Sequence, residues 1–161
     1  MKISPNTRAM VTGANGGLGR AIARALSREG ARVVLAARRP ETVEDLAKEL
    51  AAEVALADLA QREDTERLAD AAREVDLLVL NAALPASGHL HEYETDQIDR
   101  ALDVNLRAPI VMARAASEAM AERGRGHIVF ISSISGKVAT QGTSMYSATK
   151  FGLRGFSLGL R

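Results

Sequence analysis

The feature that most constrains the fold is a glycine-rich turn between an apolar run and a helical pattern. The stretch reads Val11-Thr12-Gly13-Ala14-Asn15-Gly16-Gly17-Leu18-Gly19, and apolar residues then recur at helical spacing up to Leu26. Glycine can adopt positive φ, and because it has no side chain, a ligand can approach its main chain closely. A helix that begins here directs unpaired N–H groups at an anion. The stretch therefore predicts a strand, a tight turn and a helix around a pyrophosphate site, with an ordinary surface turn as the alternative.

Strand and helix patterns alternate along the rest of the chain. Apolar runs at residues 33–37, 54–57 and 77–80 predict three further strands, and the stretch 126–131 predicts a fifth; stripes at helical spacing separate them. Successive strand–helix units favour right-handed crossovers and a parallel, doubly wound sheet. We therefore predict an α/β fold of Rossmann type, a three-layer sandwich forming one domain over residues 1–161. Functional residues should follow the carboxyl ends of its strands.

Composition argues against several classes of function. The 161 residues include 21 Lys and Arg against 20 Asp and Glu, so we expect neither nucleic acid nor an anionic membrane as a partner. The chain has no cysteine, which excludes a thiolate metal site and fits a cytoplasmic location. His89 and His91 lack a third ligand at suitable spacing, so we expect solvated loop histidines and no metal.

Two motifs resemble those of the short-chain dehydrogenase/reductase family. Thr12-Gly13 with Gly17 and Gly19 resembles that family's cofactor turn, and Tyr146-Ser147-Ala148-Thr149-Lys150 resembles its catalytic signature. Ser133, which closes the fifth predicted strand, precedes Tyr146 by thirteen residues, as in the family. The resemblance extends over essentially the whole chain. Because Gly16 and Gly17 are adjacent, the turn alone also fits the extended branch of epimerases and dehydratases. Ser133, together with Asn105 and the context of Arg38, more closely resembles the simple dehydrogenase/reductase branch.

The resemblance implies a bound dinucleotide. Its site would include the turn residues Thr12, Gly13, Asn15, Gly17, Leu18 and Gly19, together with Tyr146 and Lys150. Ala37 occupies the position where NAD-preferring relatives carry an aspartate, and Arg38 follows it. Since a guanidinium matches a 2′-phosphate, we expect NADP(H) to be preferred over NAD(H), with Arg39 sharing the contact. Asp58 resembles the family's adenine contact. The alternative for Arg38 is an arginine that is merely solvated in a loop, and the alternative for Asp58 is an exposed loop acid.

The segment after the fourth predicted strand departs from the family. Where the family usually has Asn-Asn-Ala-Gly, this chain has Leu80-Asn81-Ala82-Ala83, so only Asn81 and Ala82 match. We assign these two residues to the cofactor site. We expect the departure to loosen a contact in the sheet rather than to change the chemistry.

The catalytic residues implied by the resemblance are Asn105, Ser133, Tyr146 and Lys150. Tyr146 and Lys150 are four residues apart, so on a helix they share a face, and a nearby ammonium favours a tyrosine phenolate. Tyr146 would act as the general acid–base and Lys150 would tune it and hold the nicotinamide ribose. Ser133 would donate a hydrogen bond to the substrate oxygen.

Asn105 has its own signal in the sequence, since Pro109 lies four residues after it. Proline has no N–H to donate to the carbonyl of Asn105, so a helix that continues through Pro109 would free that oxygen. In the family, an asparagine at such a kink holds a relay water through its main-chain carbonyl. The alternative is that a new helix simply begins at Pro109.

The predicted function is an NADP(H)-dependent oxidoreductase that interconverts a carbonyl and a secondary alcohol of a small molecule by hydride transfer. A non-catalytic dinucleotide sensor on the same fold is one alternative, although a sensor would be expected to lose the Tyr146–Lys150 pair. An extended-branch epimerase or dehydratase is another. A small-residue face formed by Ala148, Gly152, Gly155 and Gly159 predicts a homodimer or homotetramer.

The family's substrate lid and last strands lie after the catalytic helix, in which this sequence ends. Without them, the fifth strand would present an unpaired hydrophobic edge, which is an aggregation hazard. We therefore expect the C-terminal part of the family domain to follow Arg161.

Overall fold

The structure, a computed structural model, describes residues 2–160, so Met1 and the expectation about Arg161 lie outside it. The described residues form five strands: β1 (Arg8–Thr12), β2 (Arg32–Ala37), β3 (Glu53–Leu56), β4 (Leu77–Leu80) and β5 (His127–Phe130). They also form six α-helices: α1 (Gly17–Arg28), α2 (Glu44–Leu50), α3 (Arg62–Ala72), α4 (Thr95–Leu102), α5 (Ala108–Glu122) and α6 (Ser144–Gly159). All the strands pair in parallel, in the order β3-β2-β1-β4-β5.

Helices cover the central strands on both faces of the sheet. Side chains alternate along a strand, so Met10 and Leu78 pack on one face with residues of α3 and α5. Val11 and Val79 pack on the other face with residues of α1 and α2. This arrangement confirms the predicted doubly wound sheet and three-layer sandwich.

Burial explains which strands were easiest to predict. Five of the six residues of β2 and all four of β4 are buried, as their continuous apolar runs indicate. β3 lies at one edge and is largely exposed, and β5 forms the other edge of the described sheet.

Leu80 extends the pairing between β4 and β5. It lies opposite Phe130, its carbonyl accepts the N–H of Ile131 at 3.0 Å, and its side chain is buried in the core. Ala83 does not adopt positive φ, so alanine is tolerated where the family usually has glycine. The departure from the family pattern therefore fits a regular strand end.

Candidate active site

The glycine turn is shaped by close approaches of the main chain. Gly13 has φ of +64°, and a Cβ there would lie 2.8 Å from the Cα of Ala82. A Cβ at Gly19 would lie 2.3 Å from the carbonyl oxygen of Gly13. Gly17 has nothing within 4 Å of its Cβ position. Gly13 and Gly19 are therefore required by packing, whereas Gly17 leaves open space at the start of the helix.

The N-terminus of α1 offers unpaired donors to a ligand. Gly16 is the capping residue, no side chain caps the helix, and its first turn contains no acid. The first N–H in the helix that bonds back to the turn is that of Arg20, which donates to the Gly16 carbonyl at 2.9 Å. Among residues 2–160, the N–H groups of Gly17, Leu18 and Gly19 have no hydrogen-bond acceptor. Such a terminus binds anions, phosphate groups in particular.

Thr12 and Asn81 join the turn to the segment that follows β4. The Thr12 hydroxyl accepts the N–H groups of Asn81 at 3.0 Å and Ala82 at 3.1 Å. In return, the Asn81 amide donates to the carbonyls of Thr12 at 2.9 Å and Gly13 at 3.2 Å. These bonds fix the carboxyl ends of β1 and β4 relative to each other, as a rigid binding cleft requires.

A cleft of about 390 Å³ opens at these strand ends. The predicted cofactor residues that line it are Thr12, Gly13, Asn15, Gly17, Leu18, Gly19, Arg38, Asp58, Asn81 and Ala82. Arg39 does not line the cleft; its side chain is exposed and its Nε lies 3.6 Å from Glu41. The glycine turn, the open N–H groups and the cleft beside them together fit a phosphate-bearing nucleotide.

Asp58 lies between two arginines that also line the cleft. Arg100 places its Nη2 3.4 Å from one oxygen of the Asp58 carboxylate and 3.5 Å from the other. Arg38 approaches less closely, with Nη1 at 3.8 Å. Arg100, from the last turn of α4, is the residue that sequence reasoning missed. It is 42 residues from Asp58, and no local pattern connects the two.

Lys150 and Tyr146 form a pair on α6. Lys150 is only 2% exposed, and its Nζ donates to the carbonyl of Ile131 at 2.9 Å. The same Nζ lies 5.6 Å from the centroid of the Tyr146 ring. Burial lowers the pKa of the Lys150 ammonium. The Tyr146 N–H donates to the Ala86 carbonyl at 3.1 Å, which fixes the start of α6 against the segment after β4.

Ser133 lies just beyond β5, where it begins a short 3₁₀ turn, Ile134–Gly136. Its hydroxyl oxygen accepts the N–H of Ser135 at 3.2 Å, which leaves its own proton available to a ligand. A Cβ at Gly136 would lie 2.8 Å from the carbonyl of Lys150, so this turn packs directly on α6. The packing brings the segment of Ser133 next to the helix of Tyr146 and Lys150. The three side chains do not line the nucleotide cleft itself.

Helical structure continues through Pro109, which excludes the alternative of a new helix beginning there. A π-helical segment, Asp103–Arg107, joins α4 to α5, and the Ala108 N–H bonds to the carbonyl of Asp103, five residues back. Proline cannot donate to the Asn105 carbonyl, as the sequence predicts. The Asn105 side chain is fully buried; its amide donates to the Leu84 carbonyl at 2.9 Å and its oxygen accepts the Leu84 N–H at 2.6 Å.

The parallel sheet, the glycine turn after β1 and the helix α6 with its Tyr146–Lys150 pair define a dinucleotide-binding domain of Rossmann type. The short chain dehydrogenase family matches residues 7–161. The chain belongs to the short-chain dehydrogenase/reductase family and is an oxidoreductase of the NAD(P)-dependent kind, which confirms the predicted family and class of enzyme.

Relatives and solved structures agree with this membership. An uncharacterized oxidoreductase of Staphylococcus aureus strain MRSA252 is 34% identical, with 99% of this chain and 72% of the relative covered. The bulky-bulky ketone specific alcohol dehydrogenase from Comamonas testosteroni superposes with a TM-score of 0.93 at 31% identity, covering 98% of this chain and 67% of that one. A metagenomic short-chain oxidoreductase in complex with NADP gives 0.91 at 36% identity, covering 99% and 75%.

Within residues 2–160, none of the helices combines the length and the hydrophobicity of a membrane-spanning segment. The same residues contain no group of three histidine, cysteine, aspartate or glutamate side chains that could hold a metal ion. His89 and His91 stack their rings, with centroids 5.6 Å apart.

Proposed function

We propose that this chain binds NADP(H) in the cleft and interconverts a small-molecule carbonyl and a secondary alcohol. The observation that carries the proposal is the burial of Lys150 beside Tyr146. A solvated surface pair would leave the lysine exposed, whereas this lysine is 2% exposed and its Nζ is 5.6 Å from the tyrosine ring. Lysine is almost never so buried unless its ammonium is paired, and here the ammonium donates to the Ile131 carbonyl beside the tyrosine.

Different residues of the cleft bind different parts of the cofactor. The N–H groups at the start of α1 hold the pyrophosphate, and Arg38 holds the 2′-phosphate with Asn15 as a neutral donor nearby. Asp58 contacts the adenine, and Asn81 and Ala82 line the path towards the nicotinamide. A solved neighbour carries NADP, which supports this choice of cofactor. Because Ala37 offers no carboxylate to a 2′-hydroxyl, NADP(H) is preferred over NAD(H).

Arg39 has a secondary role in this scheme. It is exposed and lies beside Glu41 rather than in the cleft, so it reaches the 2′-phosphate only by changing its side-chain conformation. Arg38 therefore makes the main contact.

The nicotinamide, when bound, supplies or accepts the hydride. The carbonyl oxygen gains negative charge as hydride arrives, so Tyr146 donates its hydroxyl proton there and Ser133 donates a hydrogen bond to the same oxygen. In the reverse direction, Tyr146 accepts the alcohol proton. The main-chain carbonyl of Asn105, which Pro109 cannot engage, holds the water that returns the proton from solvent.

Lys150 performs two tasks with one ammonium. It uses one of its three protons on the Ile131 carbonyl, which leaves two for the nicotinamide ribose. Its ammonium also lies near the Tyr146 ring, with Nζ 5.6 Å from the centroid. A positive charge there stabilises the negative charge that develops on the phenol as it gives up its proton.

Helix α6 also offers a surface for self-association, and we propose a homodimer or homotetramer formed through it. Phe151 and Leu158 are 42% and 47% exposed, and Gly155 and Gly159 have nothing within 4 Å of their Cβ positions. Small residues between exposed apolar ones permit close helix packing. Light scattering at micromolar concentration should give a dimer or tetramer, and Phe151→Glu should shift it to the monomer. A wild-type monomer would refute the assembly.

NADPH consumption with a panel of ketones and quinones tests the enzyme proposal. The wild type should oxidise NADPH with at least one member of the panel, and Tyr146→Phe should abolish turnover while it retains NADPH binding. The phenylalanine keeps the ring and removes the proton donor. If the wild type binds NADPH tightly but oxidises it no faster than this variant, the proposal of an enzyme is refuted and a dinucleotide sensor is favoured.

A further inference from the structure

Three charged side chains meet at the end of the cleft assigned to the 2′-phosphate. Asp58 is 25% exposed and lines the cleft together with Arg38 and Arg100. Both carboxylate oxygens of Asp58 lie within 3.5 Å of Arg100 Nη2, whereas Arg38 Nη1 is 3.8 Å away. Arg100 has no other acidic partner among residues 2–160. The acid is therefore paired mainly with Arg100.

This pairing matters because Asp58 and a 2′-phosphate carry the same sign of charge. An unpaired carboxylate at this end of the cleft would repel the phosphate directly. It would also draw Arg38 into a closer ion pair, so the guanidinium would have to leave the acid before it could hold the phosphate. With Arg100 in place, the cluster carries a net single positive charge, and Arg38 keeps its longer, weaker contact.

We propose that Arg100 is a specificity-determining residue that acts through Asp58. By neutralising this carboxylate, it leaves Arg38 available to the 2′-phosphate and so raises the preference for NADPH over NADH. The inference rests on the proposed function, since it concerns the same cofactor cleft. NADH has only a hydroxyl at this position, so its affinity is nearly independent of Arg100.

A purely structural role for Arg100 makes a different prediction. Arg100 lies on α4, and its ion pair with Asp58 joins this helix to the segment that follows β3. Loss of that ion pair would lower the unfolding temperature and weaken both nucleotides equally. The ratio of the two dissociation constants, Kd for NADH divided by Kd for NADPH, therefore separates the two roles.

The experiment is titration of NADPH and NADH against the full chain, followed by calorimetry or by nucleotide fluorescence. Arg100→Gln should lower the ratio about tenfold, almost entirely through weaker NADPH binding. Arg100→Lys, which conserves the charge, should stay within about threefold of the wild type. The double variant Arg100→Gln with Asp58→Asn should recover most of the lost preference, because the carboxylate is then gone. Arg73→Gln removes an arginine from a remote pair with Glu118 and should leave the ratio unchanged.

Asp58→Asn alone provides a second measurement that does not depend on the stability of α4. It should raise the ratio, because the remaining negative charge near the phosphate is removed. An unchanged ratio in Arg100→Gln would overturn the inference, as would equal weakening of both nucleotides or no recovery in the double variant. A wild type that binds neither nucleotide would refute the proposed function and this inference together. If the wild type prefers NADPH and Arg100→Gln has the same ratio of dissociation constants, only the inference about Arg100 is refuted.

Discussion

Replacing Gly19 with alanine should destabilise the fold, whereas the same change at Gly17 should not. The new Cβ at position 19 would lie 2.3 Å from the Gly13 carbonyl oxygen and 3.0 Å from the Cα of Ala14. Both neighbours are main-chain atoms that cannot rotate away, so the turn must move by roughly 1 Å to restore ordinary contact distances. Such overpacking costs about 1 to 3 kcal/mol, against a gain of up to about 1 kcal/mol from replacing glycine in a helix.

A cost in the middle of this range, about 2 kcal/mol, set against a gain of up to about 1 kcal/mol leaves a net destabilisation of about 1 to 2 kcal/mol, which can be measured directly. A change of 1 kcal/mol shifts the unfolding temperature of a domain this size by about 2 to 4 °C, so Gly19→Ala should lower it by about 2 to 8 °C. Gly17 has nothing within 4 Å of its Cβ position, so Gly17→Ala should melt at or above the wild-type temperature. Because Gly17 lines the cleft beside the open N–H groups, that variant should instead lose NADPH affinity.

The assay is thermal unfolding without nucleotide, followed by NADPH titration of each variant at a temperature where it is folded. Equal losses of stability in the two variants would refute the argument from contact distances. If Gly17→Ala bound NADPH as tightly as the wild type, the pyrophosphate could not lie against the start of α1.

Three other predictions concern single side chains. Arg38→Ala should lower the affinity for NADPH about ten- to a hundredfold and leave the affinity for NADH nearly unchanged, since a charge-assisted bond contributes about 1.5 to 3 kcal/mol. Ala37→Asp should shift the preference towards NADH. Equal loss of affinity for both nucleotides in Arg38→Ala would mean that the 2′-phosphate does not bind at this loop. Burial lowers the pKa of Lys150, so the folded chain releases this proton at a lower pH than the unfolded chain. The free energy of unfolding of the wild type relative to Lys150→Met should therefore rise as the pH increases from the lowered pKa towards the ordinary lysine value. Chemical denaturation at several pH values measures this difference, and a difference that falls with pH would contradict the prediction. Asn105→Ala leaves the N–H and carbonyl of Leu84 without their partners, and urea unfolding should show a loss of about 2 to 4 kcal/mol, whereas a loss below about 1 kcal/mol would mean that water replaces the amide.

The central strands and the glycine turn could be predicted because their signals are local. A strand that is buried on both faces must be apolar where it is buried, as β2 is at residues 33–37 and β4 along its whole length. A turn in which a Cβ would clash with main-chain atoms must use glycine, as at Gly13 and Gly19. The edge strands are less clear in the sequence. β5 begins one residue later and ends one residue earlier than the stretch 126–131 predicted from the sequence, because the ladder with β4 decides where pairing stops.

Other parts of the site depend on contacts that no local pattern reveals. Arg100 reads as an ordinary charged residue on α4, and only the packing of that helix brings it to Asp58. The π-helical segment at Asp103–Arg107 is equally hidden, since a single wide turn barely changes the spacing of apolar residues. Proline indicates that a bond is missing at Asn105, but it does not reveal how the helix adjusts.

Asn105 shows why a resemblance in sequence gives only part of a residue's role. The resemblance draws attention to its main-chain carbonyl, yet its side chain joins two parts of the site. The amide holds Leu84, at the cleft, and lies 3.5 Å from the Thr149 hydroxyl, which in turn donates to the Tyr146 carbonyl at 2.8 Å. The segment that lines the nucleotide cleft and the helix that carries Tyr146 and Lys150 are thus connected through one buried side chain. The proposed hydride transfer would require the nicotinamide and the proton donor at a fixed separation, and a buried, fully hydrogen-bonded amide is a rigid means of maintaining it.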